Sequence, residues 1–276
     1  MKNSKRAIAL LLSLCFVSPI SQGISSYRYV NAQEVDEIVD VPDINLKRGL
    51  LSVIRASKGN HTPVEKSDAQ VHTFKKSELA GIKALSPEIC APHNPQEGTV
   101  KIANLKGIEY CKNIEKLSLV NQRITNISPL TDLVKLEYLD LRNNAEGNKV
   151  IEDITPLEKL TSLKTLNLNQ SRITNTKPLE KLVNLEHLSL FGTKITTIDF
   201  VKNMPNLKYA DLSYSRLKDI SALANCKKLK TLKLETNKKD DAQGNFERIE
   251  DISSLSGLIE LRELTLGNNN IKDIKA

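Results

Sequence analysis

Tryptophan is absent from the 276 residues, and phenylalanine and tyrosine together supply only 4%. Any core is therefore aliphatic, as a stack of leucine layers requires. Cysteine occurs four times, and Cys15 falls in an N-terminal apolar stretch, leaving Cys90, Cys111 and Cys226. An odd number in an exported chain does not make a disulfide framework. A Cys90–Cys111 bridge stays open as a minor alternative to buried thiols at positions 111 and 226. Also missing are a glycine-rich phosphate loop, an H-E-x-x-H pair and a cysteine pair at zinc spacing. Cys90 and His93, with His61 and His72 upstream, read as scattered loop residues rather than metal ligands. The pair Asp240–Asp241 lacks the alternating acids of a calcium loop. No catalytic residue, cofactor or metal is expected, and the chain does not read as an enzyme.

A true excess of one charge is lacking too. Four of the seven net positive charges (Lys2, Lys5, Arg6 and Arg28) lie in the first 32 residues, which carry no acid, leaving +3 on the rest. That is a mixed surface, with no argument for nucleic acid. Lys2, Lys5 and Arg6 precede an apolar run, Ala7 to Ile20, too short to span a bilayer at ~20 residues. Val30-Asn31-Ala32 offers small residues at a cleavage site. Residues 1–32 are read as a secretory signal, with a mature chain near Gln33, no membrane span in it, and a monomer expected.

What is present is a repeat. Leu136, Leu139, Leu141 and Asn144 follow the spacing L-x-x-L-x-L-x-x-N, and Ile151, Ile154 and Leu157 continue it after an interruption. Neither a helix nor a strand alone has that period. Units begin at Ile114, Leu136, Leu163, Leu185, Leu207, Leu229 and Leu261, with steps of 22, 27, 22, 22, 22 and 32. The period is 22, and insertions follow Asn144 and Asn237. Both carry Gly-Asn in a polar run (Ala145–Asn148 and Ala242–Asn245), which predicts protruding hairpins. One such unit is too thin to fold alone, so stability must be shared along the stack.

Behind each strand, NISPL (126–130), DITPL (153–157) and DISAL (219–223) predict short 3₁₀ turns, with Ser or Thr as N-cap and Pro or a small residue after it. Ahead of the array, Val41-Pro42-Asp43 reads as a helix start with Asp43 as N-cap, running to about Ala56. Residues 57–66 read as a loop, and a second short helix is predicted within Thr73–Gly81. The resulting division is an acidic link and helical cap at 33–81, an irregular first repeat at 82–113, and seven repeats at 114–276. The expected fold is an α/β solenoid. It is a right-handed leucine-rich-repeat horseshoe with a parallel concave sheet, short 3₁₀ turns on the convex side and an N-terminal helical cap.

LSLVNQRITNISPL (117–130), LTLGNNNIKDI (264–274) and the stretch VPDINLKRGLLSVI (41–54) resemble the internalin family of Gram-positive surface and secreted proteins. The resemblance implies an exported interaction module that binds a host surface protein. Departures are visible. The family's asparagine appears only as Asn144, Asn237 and Asn269, while Gln122, Ser171, Thr193 and Ser215 hold the other places. The sequence stops at Ala276 within a repeat, which we read as a truncated product with an uncovered last layer.

Residues flanking the strand leucines should face outward on the concave sheet. There the sequence places Tyr138, Asp140, Arg142, His187, Phe191, Tyr209, Asp211 and Tyr214. The aromatics are expected at the centre of a protein-binding patch, with Asp140, Arg142 and Asp211 as polar contacts at its rim. The alternatives are a structural surface spacer and an extracellular enzyme inhibitor.

Overall fold

The computed structural model describes residues 36–86, 101–237, 239–240 and 246–275. Residues 1–32, Cys90, His93 and the loop at 241–245 lie outside them. Its centre is an eight-stranded parallel sheet in which one short strand comes from each turn of the chain. In sheet order these are β3 (Ala84–Leu85), β4 (Lys116–Ser118), β5 (Tyr138–Asp140), β8 (Thr165–Asn167), β9 (His187–Ser189), β10 (Tyr209–Asp211), β11 (Thr231–Lys233) and β14 (Glu263–Thr265). Register is exact in the repeat: Leu117, Leu139, Leu166, Leu188, Ala210, Leu232 and Leu264 are successive partners. The irregular first unit joins through Leu85 opposite Leu117. All but the last of these side chains are buried, and Leu264, in the edge strand of the described sheet, is 38% exposed.

Opposite the sheet, 3₁₀ turns occupy Ser128–Leu130, Thr155–Leu157, Lys177–Lys181, Asp199–Asn203, Ser221–Asn225 and Ser253–Leu255. Their capping differs from the expectation. Ser128, Thr155 and Ser221 are the first residues of their turns, the N-cap positions are Ile127, Ile154 and Ile220, and the side chain that serves the turn's first N–H is the Asn or Asp just before the cap. Asn126, Asp153, Asp219 and Asp251 accept from the backbone N–H of Ser128 (2.9 Å), Thr155 (2.9 Å), Ser221 (2.7 Å) and Ser253 (2.7 Å). A short Asx side chain reaches two residues ahead with little loss of freedom, so it takes the N–H that a Ser N-cap would otherwise have to serve.

The polar column inside the array is uneven. Asn144 donates to the carbonyls of Leu119 (2.7 Å) and Leu141 (2.9 Å) and accepts from Ile124 N–H (3.1 Å), bridging two turns. Gln122 also bridges, accepting from Ile102 N–H and donating to Val120. Thr193 reaches only its own turn, through Leu190.

The insertion at 145 forms the expected hairpin: β6 (Ala145–Glu146) pairs with β7 (Lys149–Val150) across Gly147, which has φ +60°. The second insertion shows the stems β12 (Lys239–Asp240) and β13 (Phe246–Glu247) as an antiparallel pair.

At the N-terminal end, α1 (Ile44–Ser57) starts at Asp43, whose carboxylate accepts from Asn45 and Leu46 N–H. Its other oxygen takes the N–H groups of Ala103 (2.8 Å) and Asn104 (3.0 Å), tying the cap to the first repeat. Gly107, at φ +103°, lets Val41 sit against it; a Cβ there would fall 2.5 Å from Val41 Cγ2. The cap holds more than periodicity predicted. A helix α2 (Lys66–Val71) precedes the expected one, α3 (Lys76–Ala80), and β1 (Ile38–Val39) pairs antiparallel with β2 (Phe74–Lys75). Elements of two to six residues are too short to show a period.

Two outcomes follow from these bonds. Asn144→Ala leaves two buried carbonyls and one N–H unpaired and should cost roughly 3 kcal/mol in denaturant unfolding, whereas Thr193→Ala should cost about 1 kcal/mol. Asp153 and Asp251 are held below the usual carboxylate value. For Asp153 the Thr155 hydroxyl contributes most, and for Asp251 the Ser253 N–H does. A depressed carboxylate stabilises the fold above its unfolded pKa of 3.8 and loses that contribution as pH falls through the folded value. The unfolding midpoint should therefore drop below about pH 4, and Asp153→Asn with Asp251→Asn should flatten that limb. Asn126 makes the same bond without titrating.

Candidate binding face

Four rows of side chains cross the sheet face, set by register. The first contains Lys116, Tyr138, Thr165, His187, Tyr209, Thr231 and Glu263. His187 and Tyr209 are direct cross-strand partners, and their rings stack at 6.1 Å between centroids. Tyr209 is half-buried, and burial followed by the neighbouring Asp211 charge raises its hydroxyl pKa above the ordinary value. Tyr138 does not join this pair, because Thr165 stands between it and His187.

The second row holds Asp140, Asn167 and Asp211. Each uses an oxygen on the backbone N–H two residues on, at Arg142, Asn169 and Ser213, all at 3.1 Å. The expected rim contacts thus have a structural duty at the turn out of the strand. Asp140 lies beneath the surface, 2% exposed; its other oxygen faces Tyr138 OH and Arg142 Nε, each at 3.4 Å. Asp211 is half-exposed and lines a hollow of about 400 Å³ together with Arg142, Asn167, Asn169, His187 and Tyr209.

Phe191 stands in the third row. Asn169 fixes its backbone by accepting from Phe191 N–H (2.9 Å) and from Ser189 Oγ (2.7 Å). The fourth row is not strand at all. Asn121, Asn143, Gln170, Gly192, Tyr214, Thr236 and Asn268 each have φ between +52° and +71°. Each of the first six donates its N–H to the next turn, as Tyr214 does to Glu235 (2.8 Å). The left-handed bend is therefore what continues the ladder past the strand. Asn and Gly tolerate this region; a bulky aromatic does so at a cost of roughly 1–2 kcal/mol.

Tyr214 accordingly sits one residue beyond the alternation that the sequence suggested. Its neighbour in the row is Gly192, which has no side chain, and the Tyr214 ring lies against Phe191 at 4.8 Å. Tyr214 remains 48% exposed. The aromatics therefore divide into a Phe191–Tyr214 platform and a His187–Tyr209 stack, with Tyr138 apart from both, its hydroxyl donating to the Asp140 carboxylate that Arg142 also pairs with. Asn167 and Asn169, which strand alternation places on the outward face but which were not assigned to the patch, shape the hollow; two asparagines at i and i+2 across a strand end were the available signal.

Cys111 and Cys226 are buried free thiols, and burial pushes them up to about 12 and about 11. Among the described residues no cluster of His, Cys, Asp and Glu could hold a metal, and no helix is long and apolar enough to cross a membrane.

A family model described as leucine-rich repeats (2 copies) matches residues 112–159, 161–203 and 205–247. Among solved structures, an internalin (inlF) from Listeria monocytogenes is 32% identical with a TM-score of 0.65, over 84% of this chain and 58% of that one. An internalin C2 (inlC2) from the same species is 27% identical with a TM-score of 0.65, over 86% of this chain and 93% of that one. The chain thus spans 58% of the length of the first and nearly all of the second. No curated protein matches it.

The left-handed position can be tested directly. Tyr214→Gly should be more stable than Tyr214→Ala by about 1 kcal/mol in denaturant unfolding, because both lose the ring and only alanine keeps the strain.

Proposed function

The chain is an internalin-like leucine-rich-repeat protein, and from that premise we propose that its sheet face binds a folded host protein. The observation that carries this reading is the Phe191–Tyr214 platform. An exposed aromatic in a strained backbone position gains the array nothing that Asn143 or Gln170 does not supply at the same place. Strain of this kind accumulates where function requires a particular side chain. Tyr and Phe supply large contact area at low cost in rotamer freedom, which suits them as interface anchors.

The second aromatic pair, His187 and Tyr209, extends the contact across the hollow. From the β5 strand to the β10 strand the face covers three strand spacings, about 14 Å. The full eight-stranded sheet spans roughly 35 Å, enough for one small domain. Export is part of the proposal and rests on the basic start at Lys2, Lys5 and Arg6 and the apolar run after it. The division into signal, cap, irregular repeat and regular array is proposed with it. The protein acts by binding and carries out no reaction.

Phe191→Ser combined with Tyr214→Ser tests the reading. Against labelled host-cell surface proteins the wild-type chain should retain a partner that the double variant loses. The expected loss is roughly 2 kcal/mol or more per anchor, with the unfolding midpoint displaced by little. Equal retention by both proteins would rule the platform out.

A further inference from the structure

Asp140 presents a puzzle that the turn alone does not solve. Its Oδ1 bond to Arg142 N–H is reproduced by Asn167 in the next repeat, at the same 3.1 Å and with a neutral amide. The turn therefore needs no carboxylate, yet here one is placed with its side chain 3% exposed. Burying a charge is costly unless it is paired and hydrogen-bonded. The second oxygen explains the charge: it lies 3.4 Å from both Arg142 Nε and Tyr138 OH.

That arrangement leaves Arg142 half used. Asp140 engages the Nε edge of the guanidinium, and the Arg142 side chain remains 47% exposed at the wall of the central hollow. No other side-chain partner of Arg142 stands among the described residues. A guanidinium is planar, permanently charged and presents its terminal nitrogens as a rigid fork that matches a carboxylate in two parallel bonds. A free arginine on a surface holds no such direction. This one is anchored from beneath by a buried carboxylate, which Tyr138 steadies in turn.

We propose that Arg142 is a carboxylate receptor that takes an Asp or Glu side chain of the bound protein, with Asp140 and Tyr138 as its positioning residues. The proposal rests on the sheet face being the binding surface. Charge complementarity selects the occupant: the fork is cationic, while the other charged group lining the hollow, Asp211, stands about three strand spacings away, ~14 Å. An acidic residue is therefore accepted at the Arg142 end, whereas at the other end Asp211 stands beside its cross-strand partner Lys233 and presents no unopposed cation. Asn167, Asn169 and Ser189 between them offer polar contacts without net charge. The recognition is directional as well as electrostatic, so carboxylate should be distinguished from its amide by geometry.

Random twelve-residue peptides displayed on phage and selected on the immobilised full chain supply the probe. Acidic peptides should be enriched. A synthetic selected peptide should bind roughly ten-fold more tightly with Glu than with Gln at its acidic position. That ratio should fall several-fold in Arg142→Lys, which keeps the charge but not the fork, and in Asp140→Asn, which keeps the turn bond but releases the guanidinium. A merely structural role for Asp140 would alter the unfolding midpoint and leave the Glu-to-Gln ratio intact. An unchanged ratio in both variants overturns the proposal, as does the absence of acidic enrichment. Peptides without acidic preference that lose binding in the Phe191→Ser, Tyr214→Ser protein would sink the receptor and leave the sheet-face reading standing. Peptides indifferent to all four substitutions would remove both.

Discussion

No turn of this chain can bury its own leucines; each apolar layer is closed only by the turns on either side. That dependence fixes the spacing of the strands, and the spacing fixes everything projected from them. Because Leu139, Leu166 and Leu188 stand in strict register, the side chains one residue away stand in register as well. His187 meets Tyr209 because Leu188 meets Ala210. The core thus positions a surface it does not contain. The same coupling explains why uneven polar columns are tolerated: Thr193 bonds within its own turn while Asn144 and Gln122 stitch between turns, and the leucine layers carry the difference.

The ends show the constraint from the other direction. At the N-terminal side, Asp43 serves two masters, capping α1 and holding the N–H groups of Ala103 and Asn104. With Val41 packed on Gly107, the cap and the first repeat close one apolar face against another. At the other end Leu264 is exposed where its six counterparts are buried. Coverage by a neighbour, rather than residue type, decides burial in this architecture.

The parts legible in the sequence were those that repeat. A 22-residue period over seven units left the strands and the convex turns little freedom to be elsewhere, and the Gly-Asn turn of the first insertion marked its hairpin. The parts that were not legible involve one or two residues acting across a turn. Period-two reasoning placed Tyr214 on the strand, because nothing in the letters marks where alternation ends. Only the backbone reveals that Asn121, Asn143, Gln170 and Tyr214 share a left-handed bend. Similarly, Asp140 and Asp211 carried the right chemistry for a rim. Their first use is local, however, since an Asx side chain satisfies the N–H two residues ahead before it can reach a partner. The caps of the 3₁₀ turns were misassigned for the same reason. The short elements at 38–39, 66–71 and 74–75 lacked the length to display any period.

The same local rule separates structural from functional positions on the face. Where a turn needs only a bond acceptor, Asn suffices, as at Asn167; where a bend needs only tolerance of positive φ, Asn or Gly suffices, as at Asn143 and Gly192. Asp140 and Tyr214 each exceed that requirement, one by a buried charge and the other by a strained aromatic ring. Neither excess strengthens the layer beneath. Each instead orients something outward, a guanidinium in the first case and a paired aromatic surface in the second. Arg142 lines the central hollow, while the Phe191–Tyr214 pair stands outside its lining, so the face carries a directional polar group and an aromatic surface at separate places. A solenoid whose core is indifferent to these positions can carry such a face without altering its fold.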